Sequence, residues 1–406
     1  MKVTIERLGH LGDGIAAGPI FVPGALPGEV AEGEVVEGRI AAPKIVTPSP
    51  DRRRAPCPHY ASCGGCSLMH GRDEFVADWK AGVVRHALAA QGLEAPIRGV
   101  ATSPERSRRR ATLSGRRTKK AAIVGFHGRA SGTLVDLNGC ILLHPDLMAG
   151  LPVLRQITEL GGSRKAELSL NVARSEEGLD LAVSGGKPMD PALFASLASL
   201  AETADLARLT WDDEIVVTRR PPVQIMGTAR VAPPPGAFLQ ATAEGESALI
   251  TAVRAAVGPA RRIADLFAGA GTFALPLSQT AEVHAVESDA TMLAALDLGW
   301  RHANGLHRVT TEARDLFRRP LLPDELAKFD AVVLDPPRAG AEAQVAEIAR
   351  SGLRHLAYVS CNPVTFARDA KLLIDAGFSL GWIEVVDQFR WSTHVELAAG
   401  FSRPRT

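Results

Sequence analysis

Residues 263–278 read IADLFAGAGTFALPLS: an apolar strand, a turn carrying Gly269 and Gly271, and the start of a helix. Glycines at the carboxyl end of a buried strand let the backbone pass close to a ligand, where open α/β sheets bind nucleotide-type cofactors. The match to the full dinucleotide fingerprint is partial, because Ala274 stands at the third glycine position. Glu287 closes the next apolar run, HAVESD, 22 residues beyond Asp265, about the offset at which an acid bonds ribose hydroxyls. Asp315, in TEARDLF, is placed to close the adenine end. The run that Glu287 closes, AEVHAVES in full, and two further ones, KFDAVVLDPP and LRHLAYVSC, are continuously apolar and alternate with helical segments. Strands of this kind are buried on both faces, so the expected fold class is α/β with a parallel, doubly wound sheet.

Outward from this core, RVAPPPGAFLQ (230–240) marks a boundary, since three consecutive prolines cannot sit inside a regular element. The first fifty residues alternate short β-branched runs with Gly and Pro turns, which predicts a small β-barrel. Residues 47–59 form a Pro-rich basic linker, and DEFVADWKAGVVRHALAAQGL predicts a helix that stops at Gly92. Between 110 and 230 the pattern is mixed, with strand-like ELSLNVARSEEGLDLAVSG and helical PALFASLASLAETADLARL. At the end, GWIEVVDQF and THVELAAGFSR predict an antiparallel edge pair. Three units follow: a β-barrel over 1–50, a central α+β unit over 51–235 and the cofactor-binding unit over 236–406.

The chain has 406 residues, 46% of them hydrophobic and 22% charged, with a net charge of +1. It shows no apolar leader and no stretch of membrane-spanning character, so the cytosol is the expected compartment and no membrane partner is implied. The charge is unevenly spread. Residues 101–130 carry nine Lys and Arg against the single acid Glu105, the kind of cluster that supplies phosphate contacts to RNA.

VVLDPPRAG (332–340) places Asp335 before two prolines at the end of a buried strand, a rigid rim carrying a carboxylate. It resembles the fourth motif of class I methyltransferases that use S-adenosylmethionine (SAM). Enzymes that methylate amino nitrogens typically carry an aromatic residue after the prolines, where this chain has Arg338, and no cysteine stands near Asp335 as in cytosine-C5 enzymes. A thiol does close the neighbouring run, in AYVSCNPVTF (357–366). The C5 carbon of uracil is a poor nucleophile, and attack of a thiolate at C6 turns the ring into an enolate able to accept a methyl group at C5. Cys361, set before an Asn-Pro turn, suits that role.

Cys57, Cys63 and Cys66 are spaced C-x5-C-x2-C, and Cys140 stands apart in DLNGCILLHP. Four thiols in a cytosolic chain imply metal ligation rather than disulfides, with zinc the generic candidate and an iron–sulfur cluster the alternative. His59 and His70 flank the cysteines as local hydrogen-bonding groups. The C-x3-C-x2-C spacing of radical SAM enzymes is absent.

VSCNPVTFARD together with the late HVE closely resembles the uracil-C5 RNA methyltransferase family, and motifs of this resemblance run through nearly the whole chain. The resemblance implies Cys361 as nucleophile and Glu396 as the base that removes the C5 proton. It implies SAM contacts at Gln240, Phe267, Gly269, Gly271, Thr272, Glu287, Asp315 and Asp335. It favours a [4Fe-4S] cluster on Cys57, Cys63, Cys66 and Cys140, as in the family's 23S rRNA members, and a TRAM-type barrel at the N-terminus. That barrel holds six acidic and four basic side chains, an unpromising phosphate surface, so the basic stretch is the better RNA contact. Two departures stand out. Thr242 replaces the usual asparagine, with SAM contacts or the uracil pocket at stake, and FRWSTHVE replaces a commoner Pro-His version. The implied partner is RNA, 23S rRNA first and tRNA as the alternative, with a monomer expected. A non-catalytic iron–sulfur RNA-binding protein is the competing class.

Overall fold

In the computed structural model, which describes residues 1–404, the strand Arg262–Leu266 lies at the middle of the largest sheet. Ile263, Ala264 and Leu266 are buried because parallel strands flank them on both sides, Glu282–Glu287 on one and Ala331–Leu334 on the other. The eight strands run in the order Val309–Ala313, Glu282–Glu287, Arg262–Leu266, Ala331–Leu334, His355–Ser360, Glu396–Ser402, Ser379–Asp387 and Ile97–Thr102. The first five are mutually parallel; four of them carry the continuous apolar runs that predict this, whereas the edge strand Val309–Ala313, VTTEA, has no such run. Glu396–Ser402 is antiparallel to both its neighbours.

Helices Ala243–Val257 and Ala290–Arg301 cover one face of this sheet, and Asp73–Ala89, Glu342–Arg350 and Pro363–Asp375 cover the other. Two expectations change here. The C-terminal antiparallel pair is not at the edge, because Ile97–Thr102 adds a parallel strand outside Ser379–Asp387. Residues 73–102, assigned from sequence to the central unit, also supply Val84, Ala87, Leu88 and Leu93 to the core of the cofactor-binding sheet.

The central unit is a seven-stranded sheet backed by helices Leu151–Gly161 and Pro191–Thr203, with Trp211 buried between them. Its hairpin Leu168–Ser175 and Gly178–Ser184 is the one the alternating sequence predicts. Five short strands of the first fifty residues form one sheet around Val3, Ile5, Val22, Ala31 and Ile40. The buried Glu29 tethers it to the linker: its carboxylate accepts from Leu26 N, Ser49 N and both Nε and Nη2 of Arg52. No helix among the described residues is long and apolar enough to cross a membrane.

Candidate active site

Sheet register decides which side chains meet. Ser360 pairs with Leu397 across the antiparallel strands, so the next residue on one, Cys361, stands opposite the first residue of the other, Glu396. Leu334 pairs with Tyr358 on the far side, so Asp335 emerges at the same end. The loop after Asp335 is held rigid: Asp369 Oδ2 accepts from Tyr358 Oη at 2.6 Å and from Ala341 N at 2.8 Å. Asn362 caps the helix Pro363–Asp375 by accepting from Val364 N, and its Nδ2 donates to Arg338 O at 2.9 Å. The Asn-Pro pair thus starts a helix beside the thiol and ties it to the Asp335 loop.

Gln240 is buried within this group. Its Oε1 accepts from Gln388 Nε2 at 2.6 Å, and the same Nε2 donates to Glu396 Oε2 at 3.1 Å.

The glycine turn lies at the end of Arg262–Leu266. Gly271 has φ +102°, and a Cβ there would stand 2.9 Å from both Leu275 Cδ1 and Leu296 Cγ. Gly269 has φ +54° but no such contact, so conformation alone selects it. Phe267 also lies at positive φ (65°), its N–H donating to Val286 O, and its ring stands 5.5 Å from the exposed Phe317. Glu287 is stitched to this turn, Oε2 accepting from Gly269 N and Oε1 from Ser288 N and Asp289 N. Asp315 accepts from Phe317 N, which sets the second aromatic ring beside the first. Thr272 lies half-buried in the same turn.

The electrostatics of this end of the sheet ask for a cation. Asp265 is fully buried, and neither carboxyl oxygen has a hydrogen-bond partner among the described residues. Burial, with Asp335 and Glu287 nearby, drives its carboxyl well above the ordinary range. Burial pushes Asp335 up to about 7, although one edge of the residue reaches solvent. Glu396 is pushed up to about 8 by burial and by Asp335, against the opposing pull of Gln388, Arg110 and Arg338. A crowd of desolvated acids is costly unless a positive ligand joins it, and SAM, with a sulfonium and an ammonium group, is such a ligand. The residues present therefore fit the cofactor.

Cys361 is half-buried, and its thiol is pushed up to about 11 by burial, Glu396 and Asp335, with Arg338 opposing. In the ligand-free protein it is a protonated thiol, not the ready thiolate that its chemistry requires. A cation beside Asp335 would offset one of the two negative neighbours, Glu396 being the other, that add to burial in raising the thiol. The thiol opens on a cleft of about 1160 Å³. Arg338, Asn362 and His394 form one wall, Phe75, Trp79 and His86 a second, and Arg7, Leu8 and His10 of the N-terminal sheet a third.

Other expectations divide. Of the basic stretch, Arg106, Lys119, Lys120 and Arg129 are exposed, whereas Arg108, Arg109 and Arg110 turn inward. Arg109 pairs with Glu246 at 2.5 Å and donates to Gln240 O, while Arg110 donates to Leu239 O and lies over the exposed Phe238 ring at 4.5 Å. Three of the nine basic residues therefore turn toward the pocket instead of solvent. Thr242 proves to be the cap of helix Ala243–Val257, its Oγ1 accepting from Gly245 N and meeting Ser103 Oγ at 2.7 Å. Phe238, Phe317 and Gln388 escape a reading of the sequence, because exposed phenylalanines and a glutamine next to a strand carry no distinguishing pattern.

Cys57, Cys63, Cys66 and Cys140 line one small apolar cavity. Burial and the other three cysteines push the Cys66 thiol up to about 12, so the set could ionise only around compensating positive charge. Gly65 N donates to Cys63 Sγ at 3.4 Å. No group of three or more Cys, His, Asp or Glu among the described residues is arranged to hold a metal ion. The fold nonetheless brings all four thiols to one cavity. His70 meets Tyr60 Oη at 2.5 Å and His59 accepts from Asn138 N, the local roles expected of them.

Residues 230–403 match the family model of tRNA (uracil-5-)-methyltransferases. An RNA methyltransferase of Brucella suis is 41% identical over 407 residues, covering 100% of this chain and 98% of the relative. The 23S rRNA (uracil(1939)-C(5))-methyltransferase RlmD of Shewanella sp. is 31% identical, covering 98% of this chain and 94% of that one. The crystal structure of the Pyrococcus abyssi tRNA (uracil-54, C5)-methyltransferase with S-adenosyl-L-homocysteine shares the fold, with a TM-score of 0.79 at 23% identity over 99% of both chains. With a SAM-type sheet, a carboxylate-lined cofactor end and a thiol facing a glutamate, the chain belongs to the RNA uracil-C5 methyltransferase family.

Proposed function

We propose that the protein methylates C5 of a uridine in 23S rRNA, with Cys361 as nucleophile and Glu396 as base. The observation that carries this reading is the register that sets Cys361, which lines the cleft, against the buried Glu396. SAM, when bound, supplies an electrophilic methyl group. Cys361 Sγ adds to C6, the C5 enolate is alkylated, Glu396 takes the C5 proton, and the C6–S bond breaks to release 5-methyluridine and the thiolate. The base has to leave its stack to reach the cleft, so the RNA is expected to be opened locally.

Phe267 and Phe317 are assigned to the adenine, Glu287 and Asp315 to the ribose and adenine edge, and Gly269, Gly271, Thr272, Asp335 and Gln240 to the remaining SAM contacts. The rRNA preference rests on the 23S rRNA relative that matches almost the full chain. The N-terminal sheet is read as the TRAM-like barrel over 1–50, and Cys57, Cys63, Cys66 and Cys140 as ligands of a [4Fe-4S] cluster that shapes the central unit. RNA binding is assigned to residues 51–235 and methyl transfer to 236–406, with residues 73–102 serving both.

Nucleoside mass spectrometry on unmodified 23S rRNA and tRNA, each incubated with labelled SAM, tests the reading. New 5-methyluridine is expected in rRNA; its appearance only in tRNA would overturn the substrate. Cys361→Ala is expected to abolish product with SAM binding retained, and Glu396→Gln to accumulate a covalent protein–RNA adduct. An active Cys361→Ala variant would sink the mechanism.

A further inference from the structure

Gln388 follows the strand Ser379–Asp387 and is 1% exposed. Its Oε1 accepts from Ala241 N at 2.7 Å. A backbone N–H can only donate, so this bond fixes which end of the amide is oxygen. The Nε2 group must then face the other way, where it meets two acceptors, Gln240 Oε1 at 2.6 Å and Glu396 Oε2 at 3.1 Å. Both protons and the carbonyl of Gln388 are thus spent on protein groups, with nothing left for a ligand. Two consequences follow from valence alone. One oxygen of Glu396 is pinned by a donor that prefers the ionised carboxylate. Gln240, with its oxygen engaged, is held with its own amide N–H groups turned away from Gln388. The site even reserves room for this side chain, since a Cβ on Gly245 would stand 2.6 Å from Gln388 Cβ.

We infer that Gln388 is a positioning residue that holds Glu396 ready to take the C5 proton and fixes the amide orientation of Gln240. The inference rests on the assignment of Glu396 as base. It concerns the elimination step, not the attack of Cys361, because among the described residues the Gln388 side chain bonds only to Ala241, Gln240 and Glu396. Glu396 also feels Asp335 and Cys361 as negative or ionisable neighbours and Arg110 and Arg338 as positive ones. Gln388 is the group that donates a hydrogen bond to it.

The test separates adduct formation from adduct release. RNA carrying 5-fluorouridine at the target traps the adduct, since no proton remains at C5, and reports attack and methylation alone. With this RNA and saturating SAM, which offsets any weakening of the cofactor through Gln240, Gln388→Met and Gln388→Glu are expected to form adduct at rates within about threefold of wild type. With natural RNA, Gln388→Met is expected to release its adduct about tenfold more slowly at pH 7, the loss typical of one hydrogen bond to a charged group. Its release limb should move to higher pH. Gln388→Glu, which adds a like charge, should move that limb further still. Wild-type release and pH profile in both variants would overturn the inference. So would failure of both to form the fluorouridine adduct, which would make Gln388 a support of the fold. If Glu396→Gln releases product normally, the base assignment fails instead, whatever Gln388 does.

Discussion

Glu396 and Asp335 are acids that their surroundings keep from ionising. Burial lifts Asp335 to about 7 and Glu396 to about 8 in the free protein. A carboxyl raised on folding binds its proton more tightly in the native state than in the unfolded chain. The stability it contributes is fully present below the unfolded value near 4 and is lost as pH rises through the native value. The ligand-free protein is therefore expected to lose thermal stability between about pH 4 and about pH 8 and to level off above. SAM binding has the opposite sign, because its positive groups favour the ionised acids: affinity should rise as pH climbs toward the native values, by about tenfold per pH unit for each carboxyl that must ionise, and level off above them. Thermal shift with and without SAM, from about pH 4 to 9, checks both trends. Asp335→Asn should flatten the loss of stability in the free protein while weakening SAM. A free-protein melting temperature that climbs with pH would show that these acids are ionised before the cofactor arrives.

The glycine turn assigned to SAM was largely legible in the sequence as a turn, because its constraints are local. The φ of +102° and the closeness of Leu275 and Leu296 at Gly271 have a sequence signature, a glycine at the end of an apolar run. Gly271→Ala needs both a forbidden backbone and a displaced helix, and is expected to cost about 1–3 kcal/mol from strain alone and to weaken SAM strongly. Gly269→Ala, at φ +54° with only an ordinary contact to Met292 Cε at 3.6 Å, is expected to cost only about 1–2 kcal/mol. Denaturation and SAM titration of the two variants check the order; equal effects would mean that the contacts at Gly271 relax. What the sequence hid are long-range partnerships. The strand Ile97–Thr102 is half-buried along most of its length, so no alternation announced it, and its place beside Ser379–Asp387 lies some 280 residues away. The three arginines 108–110 looked like a solvated phosphate contact because charge clustering alone does not say which side chains turn inward. Gln388 was invisible for a related reason, since a buried amide is recognised only through its partners.

At the scale of the whole molecule, helix Asp73–Ala89 joins the cysteine-bearing segment to the catalytic end of the sheet. Asp73 accepts from Arg390 Nη2 at 2.8 Å and from Trp391 Nε1 at 3.0 Å, while Trp391 O accepts from Ser67 N and Leu68 N just after Cys66. Two turns along, Lys80 Nζ donates to Asp387 Oδ1 at 2.5 Å and to Phe389 O at 3.1 Å, the Lys80 and Asp387 side chains sealed from solvent. Asp387 immediately precedes Gln388, so this ion pair anchors the segment that holds Glu396. Burial pulls the Lys80 ammonium down and Asp387 pulls it back up, the balance expected of an ion pair whose desolvation is repaid only by its partner. Removing one partner leaves the other charged and dry. Lys80→Met is therefore expected to destabilise the protein by about 3–5 kcal/mol, whereas Lys80→Met combined with Asp387→Leu should recover much of that loss. Urea denaturation of the single and double variants measures the difference. Recovery of stability without recovery of adduct release would show that the pair is kept to place the strand end beneath Glu396. Recovery of both would reduce it to a replaceable core contact, and a single variant as stable as the wild type would mean that water reaches Asp387 when Lys80 is gone.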